Sequence, residues 1–133
     1  MIDSADAAVL EVYLEETAER LDSIESGLLK LEGCQECDPT LVNSIFRDAH
    51  SVKAGANLLK LATIEALSHK LENVLEMIRK CELDASEIII TASLESVDKL
   101  RELISNIEEN DTISIRLHTT MLEKAVEQTL AQA

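Results

Sequence analysis

Apolar residues return every three or four positions through nearly the whole chain, and this period narrows the possible folds more than any other feature. Only a helix gathers residues at those steps onto one face. In the first segment Leu10, Leu14, Leu21, Ile24, Leu28 and Leu31 keep the pattern, with one gap at Thr17. Gly33 then stops it, which predicts a helix over residues 5–32. Asp38-Pro39 is the next start signal, a carboxylate cap followed by a proline at the first helical position. A second helix is expected to reach Leu59, burying Leu41, Ile45, Val52, Ala56 and Leu59. Thr63 can cap a third, with Ile64, Leu67, Leu71, Val74, Leu75 and Ile78 as its stripe. Asp84 with Glu87 resembles a capping box for a fourth, facing Ile90, Val97, Leu100, Ile104 and Ile107 inward. The stretch "SEIIITASL" (86–94) has strand-like composition, but its flanks and caps favour helix. "ENDTIS" (109–114) breaks the pattern, and Asp111 or Thr112 is expected to cap a fifth helix carrying Leu117, Met121, Leu122, Val126 and Leu130.

With 3 glycines and 1 proline, the helices run long and their connections short. Short connections place neighbours side by side and antiparallel. The expected fold is all-α: an antiparallel up-down four-helix bundle with an additional C-terminal fifth helix packed outside it or across one end. Residues 1–133 are expected to form a single domain. Aromatic residues make up 2% of the chain, so the core must be aliphatic.

Charge and cysteine content exclude several functions. A net charge of −14 disfavours DNA, RNA and anionic membranes as partners. No apolar run approaches the ~20 residues of a membrane span, and the acidic N-terminus lacks the basic region of a signal peptide. The expected setting is the cytoplasm. Cys34 and Cys37 form "CQEC", but no second pair of metal-ligand spacing follows, so two thiols in a polar loop is the favoured reading. An odd cysteine count of 3 also suits a reducing compartment.

The segment "AHSVKAGANLL" (49–59) departs from an ordinary amphipathic helix. On a helical wheel of about 100° per residue, His50 lies opposite Leu41, Ile45, Val52 and Leu59. Asn43, Arg47, Ala54 and Asn57 share its side, while Phe46 and Lys53 flank it. The imidazole is thus presented beside a cation and small residues that leave room for an approaching body. A neutral imidazole next to a cation suits nucleophilic attack on a phosphoryl group, whose charge the cation offsets. The third helix adds Glu65, His69, Glu72 and Glu76 in one polar stripe, from which Glu72 or His69 could face His50. A carboxylate accepting from one ring nitrogen would fix the tautomer and leave the other as nucleophile. Pattern alone keeps blander readings open: an ordinary surface histidine, a solvated acidic face, or a thin metal site of His50, His69 and Glu72.

"IFRDAHSVKAGANLLKL" (45–61) followed by "LSHKLENVLEMIR" (67–79) resembles the histidine phosphotransfer (HPt) domain, in particular the N-terminal phosphoacceptor domains of CheA-type chemotaxis kinases. His50, Ser51, Lys53, Gly55 and Ala56 match that family's H-S-x-K-G-G-A core. Ser68, His69, Glu72, Asn73 and Leu75 match its second block, at the family's spacing. The resemblance implies that His50 is phosphorylated through Nε2, that Glu72 hydrogen-bonds its Nδ1 side, and that Lys53 and His69 tune the site. It implies a histidine-kinase ATP-binding domain as donor and an aspartate of a CheY- or CheB-like response regulator as acceptor. ATP and Mg²⁺ would come with those partners; the domain would hold no cofactor or metal and catalyse nothing alone. The receiver would dock over Phe46, Arg47, Ala54 and Asn57, with Lys53 beside them. A fragment of a CheA-type kinase is favoured over a free-standing HPt protein, and a non-phosphorylated helical adaptor is the remaining alternative. Ala54 stands where the family prefers glycine, which bears on docking of receivers.

Overall fold

The computed structural model describes residues 4–32 and 38–132, the side chains of residues 4 and 5 excepted. Within that range every regular element is helical: α1 (Ser4–Glu32), α2 (Pro39–Leu58), α3 (Ala62–Arg79), α4 (Glu87–Ser105), a 3-10 segment (Ile107–Thr112) and α5 (Arg116–Ala131). α1 packs on α2 and α4, and α3 packs on the same two, so the first four helices close a four-sided bundle. α5 lies outside it against α4 and α3. In the strand-like stretch at 86–94, residues 87–94 are helical, as its flanks require. Gly33, Cys34 and Cys37 lie outside the described residues.

The aliphatic stripes meet in one core, in which Leu21, Ile24, Leu28, Ile45, Leu67, Leu71, Ile90 and Leu100 are essentially inaccessible. Thr17 is also buried, so the gap in the α1 pattern is still an inward position. All six expected apolar positions of α3 are buried. α2 differs: Val42 and Ala49 are buried with Ile45, Val52 and Ala56, while Leu41 and Leu59 are only half-buried. α2 touches two neighbours, α1 and α3, and its buried face turns towards both, which moves Leu41 and Leu59 to the rim.

Asp38 caps α2 as expected, its Oδ1 accepting from the N–H groups of Thr40 and Leu41 at 3.0 and 3.4 Å. The other expected caps are displaced. α2 ends with the Leu61 N–H donating to the Ala56 carbonyl at 2.8 Å, and Lys60 between them takes φ 60°. α3 then starts at Ala62 with no side-chain cap, so Thr63 is already inside it. Ser86, not Asp84, caps α4: its Oγ accepts from the Ile89 N–H at 3.3 Å and lies 2.7 Å from Thr129 Oγ1 of α5. Asp111 and Thr112 fall in the 3-10 segment, and α5 begins after Ile115 without a side-chain cap. In α5 Leu122, Ala125 and Thr129 are buried, whereas Leu117 and Leu130 are exposed. A helix lying on the outside of a bundle buries a narrow face, and small Ala125 lets it come close.

Two glycines set the α1–α2 approach. A Cβ on Gly27 would stand 2.3 Å from Ile45 Cγ2, and one on Gly55 would stand 2.4 Å from the Tyr13 ring. Tyr13 sits early in α1 and Gly55 late in α2, while Gly27 and Ile45 pair the opposite ends, which is the antiparallel register. The Tyr13 hydroxyl donates to the Val52 carbonyl at 2.9 Å, tying α1 to the turn of α2 that carries Lys53.

Candidate functional site

α2 and α3 present His50, Lys53 and Glu72 to one another. His50 projects from the outer side of α2, with its side chain 57% exposed. Glu72 belongs to the polar stripe of α3 but leans under α2 and is only 7% exposed. Its Oε2 lies 2.6 Å from His50 Nδ1 and its Oε1 accepts from Lys53 Nζ at 2.7 Å. One buried carboxylate thus serves an imidazole and an ammonium, and both its oxygens are satisfied.

The charge balance of this cluster follows from its bonds. Burial pushes the Glu72 carboxyl up, but the hydrogen bonds and charges of Lys53 and His50 together hold it below its ordinary value. The group is therefore ionised at neutral pH and can only accept hydrogen bonds. In the neutral form of the ring Nδ1 must then carry the proton, which leaves Nε2, across the ring and away from Glu72, with a free lone pair. A nucleophilic nitrogen facing solvent is what this arrangement offers.

Of the two α3 residues that could face His50, the bundle selects Glu72. His69 is exposed and makes no hydrogen bond to His50, Lys53 or Glu72 among the described residues. Lys53 differs in detail from a free cation beside the imidazole, because its ammonium is engaged by Glu72. The acidic stripe is also not uniform: Glu76 pairs with Arg79 and Lys80, while Glu72 turns inward. Among the described residues no three His, Cys, Asp or Glu side chains gather in a group that could hold a metal ion.

Around His50, Arg47, Ala54 and Asn57 are exposed and Phe46 and Lys53 half-buried. Phe46 stacks near the imidazole, with ring centroids 6.3 Å apart and planes 23° from parallel. Arg79 of α3 lies over the Phe46 ring, its Cζ 4.9 Å from the centroid. The sequence does not single out Arg79. The available signal is weak: Phe46 precedes His50 by one helical turn, and Arg79 follows Glu76 at the spacing of an intrahelical ion pair. Cys81 is exposed at the end of α3.

Comparison with known proteins places this geometry in context. The model of the Hpt domain family matches residues 8–110. The chemotaxis protein CheA of Rhizobium meliloti (strain 1021) is 35% identical over 95 residues, which is 71% of this chain and 12% of that protein. The sensor histidine kinase CheAY of Helicobacter pylori (strain ATCC 700392 / 26695) is 31% identical over 120 residues, 90% of this chain and 15% of that protein. The chain therefore spans a small part of the curated relatives it matches. Among solved structures, the phosphorylated P1 domain of CheA3 from R. sphaeroides, determined in complex with CheY6, superposes with a TM-score of 0.78. That likeness covers 92% of this chain and 98% of the other at 21% identity, and it bears on the fold.

Proposed function

Because the chain belongs to the Hpt domain family, we propose that it is the phosphoacceptor domain of a CheA-type kinase and that His50 carries the phosphoryl group. The observation that carries this reading is the 2.6 Å contact of His50 Nδ1 with buried Glu72, which leaves Nε2 as the outward nucleophile. In the first step the Nε2 lone pair attacks the γ-phosphorus of ATP, held by a separate kinase domain. A P–N bond forms, the bond to the bridging oxygen breaks, and ADP leaves. In the second step an aspartate carboxylate of a CheY- or CheB-like receiver attacks the same phosphorus. The P–N bond breaks and the electron pair returns to Nε2. Glu72 keeps the proton on Nδ1 in both steps and stabilises the positive charge that the ring acquires. Lys53 holds Glu72 ionised and in place. His69 is a rim residue on this reading, one that tunes the surroundings and not the tautomer.

ATP and Mg²⁺ belong to the partners. The receiver docks over Phe46, Arg47, Ala54 and Asn57, where Ala54 adds a single methyl group to an otherwise open approach. No described helix is long and apolar enough to cross a membrane, and the setting that fits these partners is the cytoplasm.

Incubation with a CheA-type kinase domain and labelled ATP tests the proposal. The expected product is one acid-labile, alkali-stable phosphoryl group on His50, which a CheY-like receiver then removes. His50→Gln should abolish labelling, and His118→Gln should retain it. Labelling that survives His50→Gln refutes the assignment.

A further inference from the structure

We propose that Phe46 is a positioning residue for phosphoryl transfer at His50, supported from α3 by Arg79; this rests on the phosphotransfer reading above. The Glu72 hydrogen bond fixes only one atom of the imidazole, Nδ1. With its side chain 57% exposed, the ring can still swing about that contact unless something limits its plane. In-line attack needs the nitrogen lone pair held to within roughly 10–20° of the productive direction.

Phe46 supplies the second support. It lies one turn before His50 on the same side of α2, and its ring runs within 23° of parallel to the imidazole at a centroid distance of 6.3 Å. A half-buried phenyl on one helix could itself flip or drift. Arg79 opposes this from the neighbouring helix, with its guanidinium 4.9 Å from the ring centroid, a cation–π contact. Arg79 is held in turn by Glu76 through two hydrogen bonds, Nε to Oε2 at 2.9 Å and Nη2 to Oε1 at 2.7 Å. The contacts run His50–Phe46–Arg79–Glu76 and cross from α2 to α3 one turn from the Glu72 crossing along α2 and two turns from it along α3. The imidazole is thereby held by an atom at Glu72 and by a plane at Phe46.

The test compares wild type with Phe46→Leu, Phe46→Tyr and Arg79→Gln, using the whole chain and a CheA-type kinase domain. Two quantities are read, the order parameter of the His50 ring from ¹³C relaxation and kcat for phosphorylation, with KM for the kinase domain as the control. Phe46→Leu should loosen the ring and lower kcat about ten-fold with KM for the kinase domain unchanged. Phe46→Tyr, which keeps the ring, should restore both. Arg79→Gln sits at the surface and should move both quantities in the same direction by a smaller amount. It therefore carries the test if Phe46→Leu lowers the melting temperature. A ring order parameter that is the same in all four proteins overturns the proposal, as does a Phe46→Leu effect confined to KM, which marks a docking contact only. A wild-type chain that takes no label fails the functional reading itself, and the order parameters, measured without any phosphoryl donor, keep that failure distinct.

Discussion

Glu72 binds two donors from a buried position, and the consequences of removing it differ by substitution. Glu72→Ala leaves the Lys53 ammonium half-buried without its partner and Nδ1 without an acceptor. The cost should be ~1–3 kcal/mol, more than for an exposed hydrogen bond, and phosphorylation should slow because the tautomer is no longer fixed. Glu72→Gln keeps an acceptor oxygen but loses the charge. The carboxyl is depressed in the folded protein, with burial opposing and Lys53 and His50 outweighing it. Its stabilising contribution is therefore complete above the ordinary carboxylate value and is lost as pH falls through the lower folded value. The melting-temperature gap between wild type and Glu72→Gln should be constant near neutrality and shrink in acid. Thermal melts across that range check it; a gap that widens in acid reverses the assigned sign. At this scale the residue types were legible in the sequence, but two candidates on α3, His69 and Glu72, shared one stripe. Only the rotation of α3 against α2 decides which of them lies beneath His50.

The helices record their own local conflicts. Lys60 holds φ 60° where the backbone leaves α2, a conformation that costs an L-residue ~1–2 kcal/mol and glycine little. Glycine also loses more freedom on folding, so Lys60→Gly should stabilise by a net ~0.5–1 kcal/mol, read from urea unfolding. A loss of stability would mean that the lysine side chain contributes more than its backbone costs. Gly27 presents the reverse case. An alanine in mid-helix is ordinarily worth ~1 kcal/mol over glycine, yet its Cβ would stand 2.3 Å from Ile45 Cγ2. The branched isoleucine side chain is stiff, so the helices must part, at ~1–3 kcal/mol. Gly27→Ala should therefore destabilise; a variant that melts at or above the wild-type temperature would show that α1 and α2 can separate freely. The displaced caps have a related cause. Ser86 takes the start of α4 because Thr129 of α5 holds its hydroxyl, a partner 43 residues away that no local motif can reveal.

Across the whole molecule, α1 and α4 are far apart in the chain yet close the bundle. Arg101 joins them, donating to Glu25 and Asp22 of α1 at 2.8 Å each and to Asp98 of its own helix at 3.0 Å. Hydrogen bonds and charge from these carboxylates, acting against partial burial, hold the guanidinium firmly protonated. Arg101→Gln should cost roughly 1 kcal/mol, the upper range for a surface network, and less in high salt as the charges are screened. Denaturation at low and high ionic strength measures this; a cost independent of salt would assign the effect to packing. Lys70 and Glu123 make a single exposed pair between α3 and α5, from which a smaller effect is expected.

Periodicity, which is local, determined the helical class, the number of long helices and most inward positions, because burying a stripe at three- and four-residue steps requires a helix. The Asp38-Pro39 start and the grouping of His50 with Lys53 and small residues were equally readable, since each consists of neighbours in the chain. Tertiary structure alone decided the rotation of each helix about its axis. That rotation brought Val42 and Ala49 inward and left Leu117 and Leu130 exposed. It also set Glu72 beneath His50 and Arg79 over Phe46. A stripe specifies a face only to within about a third of the helix circumference, whereas a hydrogen bond of 2.6 Å is lost with a much smaller turn. The final angle is set by the packing of all the helices together, with the close approaches at Gly27 and Gly55 among its determinants.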